Sequence, residues 1–206
     1  MAEKIDLKQI ERNLFRDYCQ DGLADMMIGA YFVLIGLGLA SGVTPFVVLP
    51  IVFYAPLLRA LKRRVTYPRT GYVELRDGDP QALPWFVLGS AALGLLALVV
   101  TLIAAGVIGR PGQWYRWMPI GFGIWMAGVF LGLGVRVGMV RYYVAAAVAL
   151  AGGPTFALLP LTGKLVPLGL HFATLGAVLL AWGTAALLRF VRQYPLPGEE
   201  NGDAPT

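Results

Sequence analysis

Between Pro80 and Gly198 the chain has no aspartate and no glutamate; all twelve acidic residues lie at 3–25, 74–79 or 199–203. Over most of its length it therefore lacks the carboxylates that a proton relay, a metal site or a paired general acid and base would need. Histidine is nearly absent too. His171 is the only one, which excludes a His-rich metal site. Placed near one end of the last apolar run, it reads as an interfacial polar residue rather than a proton carrier. Cys19 is the single cysteine, so no intramolecular disulfide and no cysteine metal cluster can form. A Gly-x-Ser-x-Gly elbow, a glycine-rich phosphate loop and a glutamate pair for intramembrane proteolysis are all missing. We expect no enzyme, with no catalytic residue, no cofactor and no metal.

What the chain has is long apolar runs. It is 57% apolar and 14% charged, with a mean hydropathy of +0.66, outside the range of soluble domains. The runs cover roughly 26–42, 44–61, 84–107, 117–137, 139–160 and 165–188. Most are near the ~20 residues that cross a hydrocarbon core of ~30 Å. Each satisfies its own backbone as a helix and is too long and continuous for a barrel strand. The expected fold class is all-α, a polytopic transmembrane bundle of about six spans. Residues 1–192 would form one membrane domain, with a cytosolic loop at 59–83 between spans two and three. The polar tail, 193–206, reads as disordered. The first span reads as its own insertion signal, because it starts late and follows a charged helix.

Basic residues set the expected orientation. With six spans, fourteen of the seventeen Lys and Arg fall on one side of the membrane and three on the other. That bias places both termini and the central loop in the cytoplasm. It also accounts for the net charge of +5 without nucleic acid as a partner.

Residues 4–18 read as an amphipathic helix, with Leu7, Ile10, Leu14 and Tyr18 on one face, suited to the headgroup region or to a partner. Asp17, Asp21 and Asp25 follow at spacings of four, an unfavourable stripe unless countered. Either Asp21-Gly22 is a turn whose aspartate caps the first span, or the stripe faces the basic end of the second span; both can hold. A short link at Ser41–Thr44 makes those spans an antiparallel hairpin. Candidate salt bridges thus join Asp21 or Asp25 to Arg59 or Arg63.

Glycines recur by sevens. Gly22, Gly29 and Gly36 lie along the first span, and Gly169, Gly176 and Gly183 along the last. The pattern Gly-Leu-x5-Gly-Ala-x5-Gly fits both segments, a weak internal resemblance. A heptad of glycines lets another backbone approach one side of a helix. Gly29, Gly36, Gly128, Gly132, Gly176 and Gly183 are the candidate helix-packing positions. The fifth span is interrupted by Gly152-Gly153-Pro154, either a kink or the lining of a site.

The central polar stretch begins at the basic end of span two. Val65-Thr-Tyr67 and Tyr72-Val-Glu-Leu75 flank Pro68-Arg-Thr-Gly71, predicting a small cytosolic β-hairpin. Arg59, Lys62, Arg63, Arg64, Tyr67, Arg69 and Tyr72 are candidate contacts for a partner or for anionic lipid. Asp21-Gly-Leu-Ala-Asp25 begins like the motif of membrane CDP-alcohol phosphotransferases. No arginine follows Ala24 and no later Asp-x-x-x-Asp completes it, so that assignment is rejected. With the apolar span, the basic helix end and Tyr67-Pro-Arg-Thr-Gly-Tyr-Val73, the first third of the chain resembles a group of uncharacterised small prokaryotic multi-pass membrane proteins. The resemblance implies a prokaryotic plasma membrane and lends no activity. The sequence thus suggests a non-enzymatic scaffold or accessory subunit in the bilayer, binding a membrane or cytosolic protein partner or lipid at its cytosolic face. The alternative is a small-solute transporter or channel without a buried carboxylate relay.

Overall fold

The computed structural model describes residues 20–43, 49–70 and 114–195, together with residues 89, 92–96, 99, 102, 103 and 106. Every regular element among them is helical. They are α1 (Leu23–Ser41), α2 (Leu49–Val65), a short α3 (Tyr67–Thr70), a 3-10 turn (Trp114–Trp117), α4 (Met118–Val137), α5 (Val140–Leu158) and α6 (Val166–Gln193). Among the described residues three stretches are long and apolar enough to cross a membrane: α1, Trp114–Val137 and α6. That is half of the six spans expected. Of the others, α2 has 17 residues and ends in Lys62, Arg63 and Arg64, and α5 has 19 and opens on Arg141. Most of 84–107 lies outside the described residues, as do the amphipathic helix at 4–18 and the tail from 196.

Two contacts organise the bundle: α1 packs along α6, and α4 packs along α5, with α5 against α6 joining the pairs. The first is a backbone-to-backbone seam in which the two glycine heptads meet in antiparallel register. A Cβ built on Gly22 would lie 2.5 Å from Gly183 O, and one on Gly36 would lie 2.5 Å from both Ala173 N and Gly169 O. Between them, a Cβ on Gly29 would collide with Leu180 N and lie 2.7 Å from Gly176 O. The pairs 22/183, 29/176 and 36/169 recur every two turns, ~10 Å along the axis. Nothing larger than hydrogen fits between the helices there, which is why the repeat is glycine on both sides.

Elsewhere the interior mixes alanines with larger apolar residues such as Phe130, Leu175 and Leu179, and large apolar residues also cover the exterior. Ala127, Ala145, Ala146, Ala149 and Ala157 are buried, while Leu34, Leu37, Leu131, Leu150, Leu158 and Leu188 are exposed. In water this arrangement would leave the large apolar surface unfavourably hydrated. In lipid, where apolar side chains gain nothing by leaving the solvent, close packing of small residues is what holds helices together. Hydroxyls inside the helices bond back to their own backbone, Ser41 to Leu37 O at 2.8 Å and Thr184 to Leu180 O at 2.7 Å.

Helix ends follow local chemistry. Gly138 takes φ 72°, and its N–H donates to Gly134 O at 2.8 Å, ending α4 before α5 turns back. Pro119 and Pro167 sit in the first turns of α4 and α6, where a missing N–H costs nothing.

Four expectations change. The hairpin arm over Val65–Tyr67 is helical: α2 runs through Val65, Thr66 N–H donates to Lys62 O at 2.9 Å, and α3 follows. Its other arm, Tyr72–Leu75, lies outside the described residues. The loop expected from 59 therefore begins after the basic cluster, because that cluster completes the last turns of α2. Gly152-Gly153-Pro154 does not interrupt α5, which is continuous from Val140 to Leu158 with Thr155 Oγ1 bonded to Ala151 O at 2.8 Å. Gly132 is exposed on α4 rather than packed. Gly128 does face a neighbour, but a side chain: its Cβ would strike Leu93 Cδ2.

Candidate functional site

Asp21 begins the site. Gly22 follows it in the left-handed region at φ 70°, a conformation that the Asp-Gly pair favours and that turns the chain into α1. Asp21 Oδ1 accepts the N–H of Leu23 at 3.2 Å, so the carboxylate caps the helix it precedes. Its other oxygen accepts Thr66 Oγ1 at 2.9 Å and lies 3.2 Å from Lys62 Nζ. Asp21 and Lys62 are both buried. Turn, cap and ion pair thus coexist in one carboxylate, and they fasten the start of α1 to the end of α2.

One turn on, Asp25 makes the second pair. Tyr142 donates its hydroxyl to Asp25 Oδ1 at 3.1 Å, and Arg141 Nε lies 3.0 Å from Oδ2. This contact is ionic, with the N–H axis directed off the oxygen. The Arg141 guanidinium also stands 5.1 Å from the centre of the Tyr142 ring and 3.4 Å from its hydroxyl at one terminal nitrogen. The start of α5 is thereby tied to α1. Removing one member of a buried pair leaves a bare charge, at ~3–5 kcal/mol, even where replacing the whole pair by apolar groups costs little. The arrangement locks three helix ends together and commits both carboxylates among the described residues, Asp21 and Asp25.

The aspartates therefore pair, but with Lys62 and Arg141 and not with Arg59 or Arg63. Lys62, and Thr66 just past the end of α2, both reach Asp21 from positions four residues apart, and Arg63 sits ~100° round from Lys62. Arg59, Arg63 and Arg64 are exposed. Among the other candidate contacts, Lys62 is buried in the lock, Tyr67 is half-buried, and half-buried Arg69 donates to Val65 O at 2.8 Å. Tyr72 lies outside the described residues. Arg141, Tyr142 and Thr66 were not singled out by the sequence. Their signal was weak: Arg141 and Tyr142 resemble any basic, aromatic start of a span.

At the opposite end a second cluster surrounds His171. The ring is buried between helices and stacks edge-on to Phe122 at 5.4 Å with Phe156 at 6.0 Å. Neither ring nitrogen reaches a hydrogen-bond partner of good geometry, although the Pro119 and Ala149 carbonyls lie nearby. Glycine makes the room: a Cβ on Gly152 would come within 3.2 Å of His171 Nε2, and one on Gly123 within 3.1 Å of Cε1. Beside it, Arg116 closes the C-terminal end of α5 by donating to Ala157 O at 3.0 Å and Leu158 O at 3.4 Å.

Among the described residues no three His, Cys, Asp or Glu side chains converge as a metal-holding group. No family model, no curated protein and no solved structure matches the chain.

Proposed function

We propose that this chain is an integral protein of a prokaryotic plasma membrane that works by binding. In this reading it is a scaffold or accessory subunit with both termini in the cytoplasm, and its cationic face meets a protein partner or an anionic lipid surface. One observation carries the reading. On α2, Lys62 turns inward and is neutralised by Asp21, whereas Arg59, Arg63 and Arg64 face outward. The helix thus divides its charge between a fold-holding residue and a presented surface. The large apolar side chains exposed along the helices, Leu34, Leu37, Leu131, Leu150 and Leu188 among them, support the membrane setting. A solute conduit would draw on the glycines of α5, but the His171 ring fills the space beside Gly152 and the backbone of Pro119 and Ile120 the space beside Gly153.

The test is a photo-cross-linking residue placed at position 63 in the full chain in its own membrane, with position 37 on the exposed face of α1 as control. The reading expects a discrete protein or anionic-lipid adduct from position 63, lost when Arg59 and Arg64 become glutamate. The same neutral-lipid labelling from both positions, unaffected by those charges, would contradict it.

A further inference from the structure

The charged end of the bundle holds a groove that shares one wall residue, Arg141, with the lock. It is a cavity of about 640 Å³ between the start of α5 and the last turns of α6, with Gln20 at its rim. Its polar end carries Arg141, Arg189, Gln20 and Gln193, and its floor descends to Trp182 and Val178. No carboxylate is among its described lining residues. The two ends differ in a way that matters: guanidinium and amide donors above, an indole and apolar surface below.

Arg141 is held by Asp25 and Tyr142, so its guanidinium is a fixed part of the wall. Arg189 is different. It is exposed on α6 and has no ion pair among the described residues. Its charge is therefore the one that a ligand would neutralise. Trp182 lies seven residues before Arg189 on the same face of the helix, two turns or ~10 Å closer to the middle of the apolar span. Val178 lies one turn further. An exposed tryptophan at that depth below an arginine matches the order of groups in a glycerophospholipid: phosphate, then glycerol esters, then acyl chain. The volume is in the range of small-ligand sites, enough for a headgroup and the upper chain.

We infer that this groove binds one anionic glycerophospholipid, its phosphate against Arg189 and Arg141 and its upper acyl chain along Trp182 and Val178. The inference rests on the membrane reading above, but it concerns a different surface from the α2 arginines. A neutral zwitterionic lipid offers the same chain with a compensating positive charge beside the phosphate, which two arginines and two amides would not favour. Selectivity should come from the headgroup, through an arginine whose contribution near an anionic surface amounts to about fivefold in affinity.

The experiment uses the full chain in vesicles containing phosphatidylcholine, with a fraction of the lipid brominated on its acyl chains as either phosphatidylglycerol or phosphatidylcholine. Fluorescence of Trp182 is taken as the difference between the wild type and Trp182→Phe. We expect brominated phosphatidylglycerol to quench that component at about one-fifth of the fraction needed by brominated phosphatidylcholine. Arg189→Gln should abolish the preference, and Arg189→Lys should retain most of it. Inorganic phosphate, compared with chloride at equal ionic strength, should leave quenching unchanged. Equal quenching by the two lipids would overturn the site, as would an undiminished preference in Arg189→Gln. Displacement by inorganic phosphate would also overturn it, assigning the groove to a soluble anion. Absence of quenching at any tryptophan by either lipid would instead overturn the membrane reading itself.

Discussion

The seam between α1 and α6 and the lock at their charged end hold the same helix by opposite means. In the seam, Gly22, Gly29 and Gly36 bring backbone against backbone, and no polar side chain takes part. In the lock, Asp21 and Asp25 reach sideways to α2 and α5 through buried charges. The seam fixes how closely two helices approach. The lock fixes which helices meet, because a buried aspartate accepts only a cation at the right height and rotation. Closeness and choice of neighbour are thus encoded separately along a single helix.

This division can be broken most severely at the lock. Arg141→Ala leaves Asp25 buried with the Tyr142 hydroxyl alone and should cost ~3–5 kcal/mol in reversible unfolding from mixed micelles. Lys62→Ala should come close behind, since Thr66 and the Leu23 N–H still hold Asp21. Replacing Asp25 and Arg141 together with Asn and Met should cost much less than the two single changes added. Additive costs would mean that the charges do not act as a pair.

The seam comes next. Gly29→Ala and Gly176→Ala each place a methyl against the opposite backbone and should cost ~1–3 kcal/mol by forcing the helices apart. Gly128→Ala sharpens the contrast: it meets only the end of the Leu93 side chain, which can rotate, so its cost should stay under ~1 kcal/mol. Equal losses at Gly29 and Gly128 would remove the distinction between backbone and side-chain contact.

How far the sequence reveals each region follows from the same distinction. The glycine heptads were legible because close approach allows a single residue type, and that type must recur on one side of the helix. Their mutual pairing was not legible, since Gly128 and Gly132 offered an equally small surface until Gly132 proved exposed. The aspartates were legible as charges that needed countering, and the Asp-Gly turn as a cap. Their partners were not. Arg59, Lys62 and Arg63 lie within one turn of each other, and only the rotation of α2 selects Lys62. Arg141 comes from a helix more than a hundred residues away. The burial of His171 was not legible for a related reason: it depends on Gly123 and Gly152 from two other helices.

The smallest effect belongs to the α2 surface. Arg59→Gln and Arg63→Gln should change unfolding by ~0–1 kcal/mol, as exposed charges do, while lowering adduct formation from neighbouring positions. A loss approaching that of Lys62→Ala would show that these arginines also hold the fold.

The central claim is that the chain crosses the membrane with its paired charges gathered at one face. Single cysteines at positions 20, 43, 70, 162 and 194, in a chain whose Cys19 is replaced by serine, can be labelled with a membrane-impermeant maleimide in intact cells and after lysis. The account predicts that 43 and 162 label in intact cells, while 20, 70 and 194 label only once the membrane is opened. Labelling of 43 on the same side as 20 and 70 would contradict it.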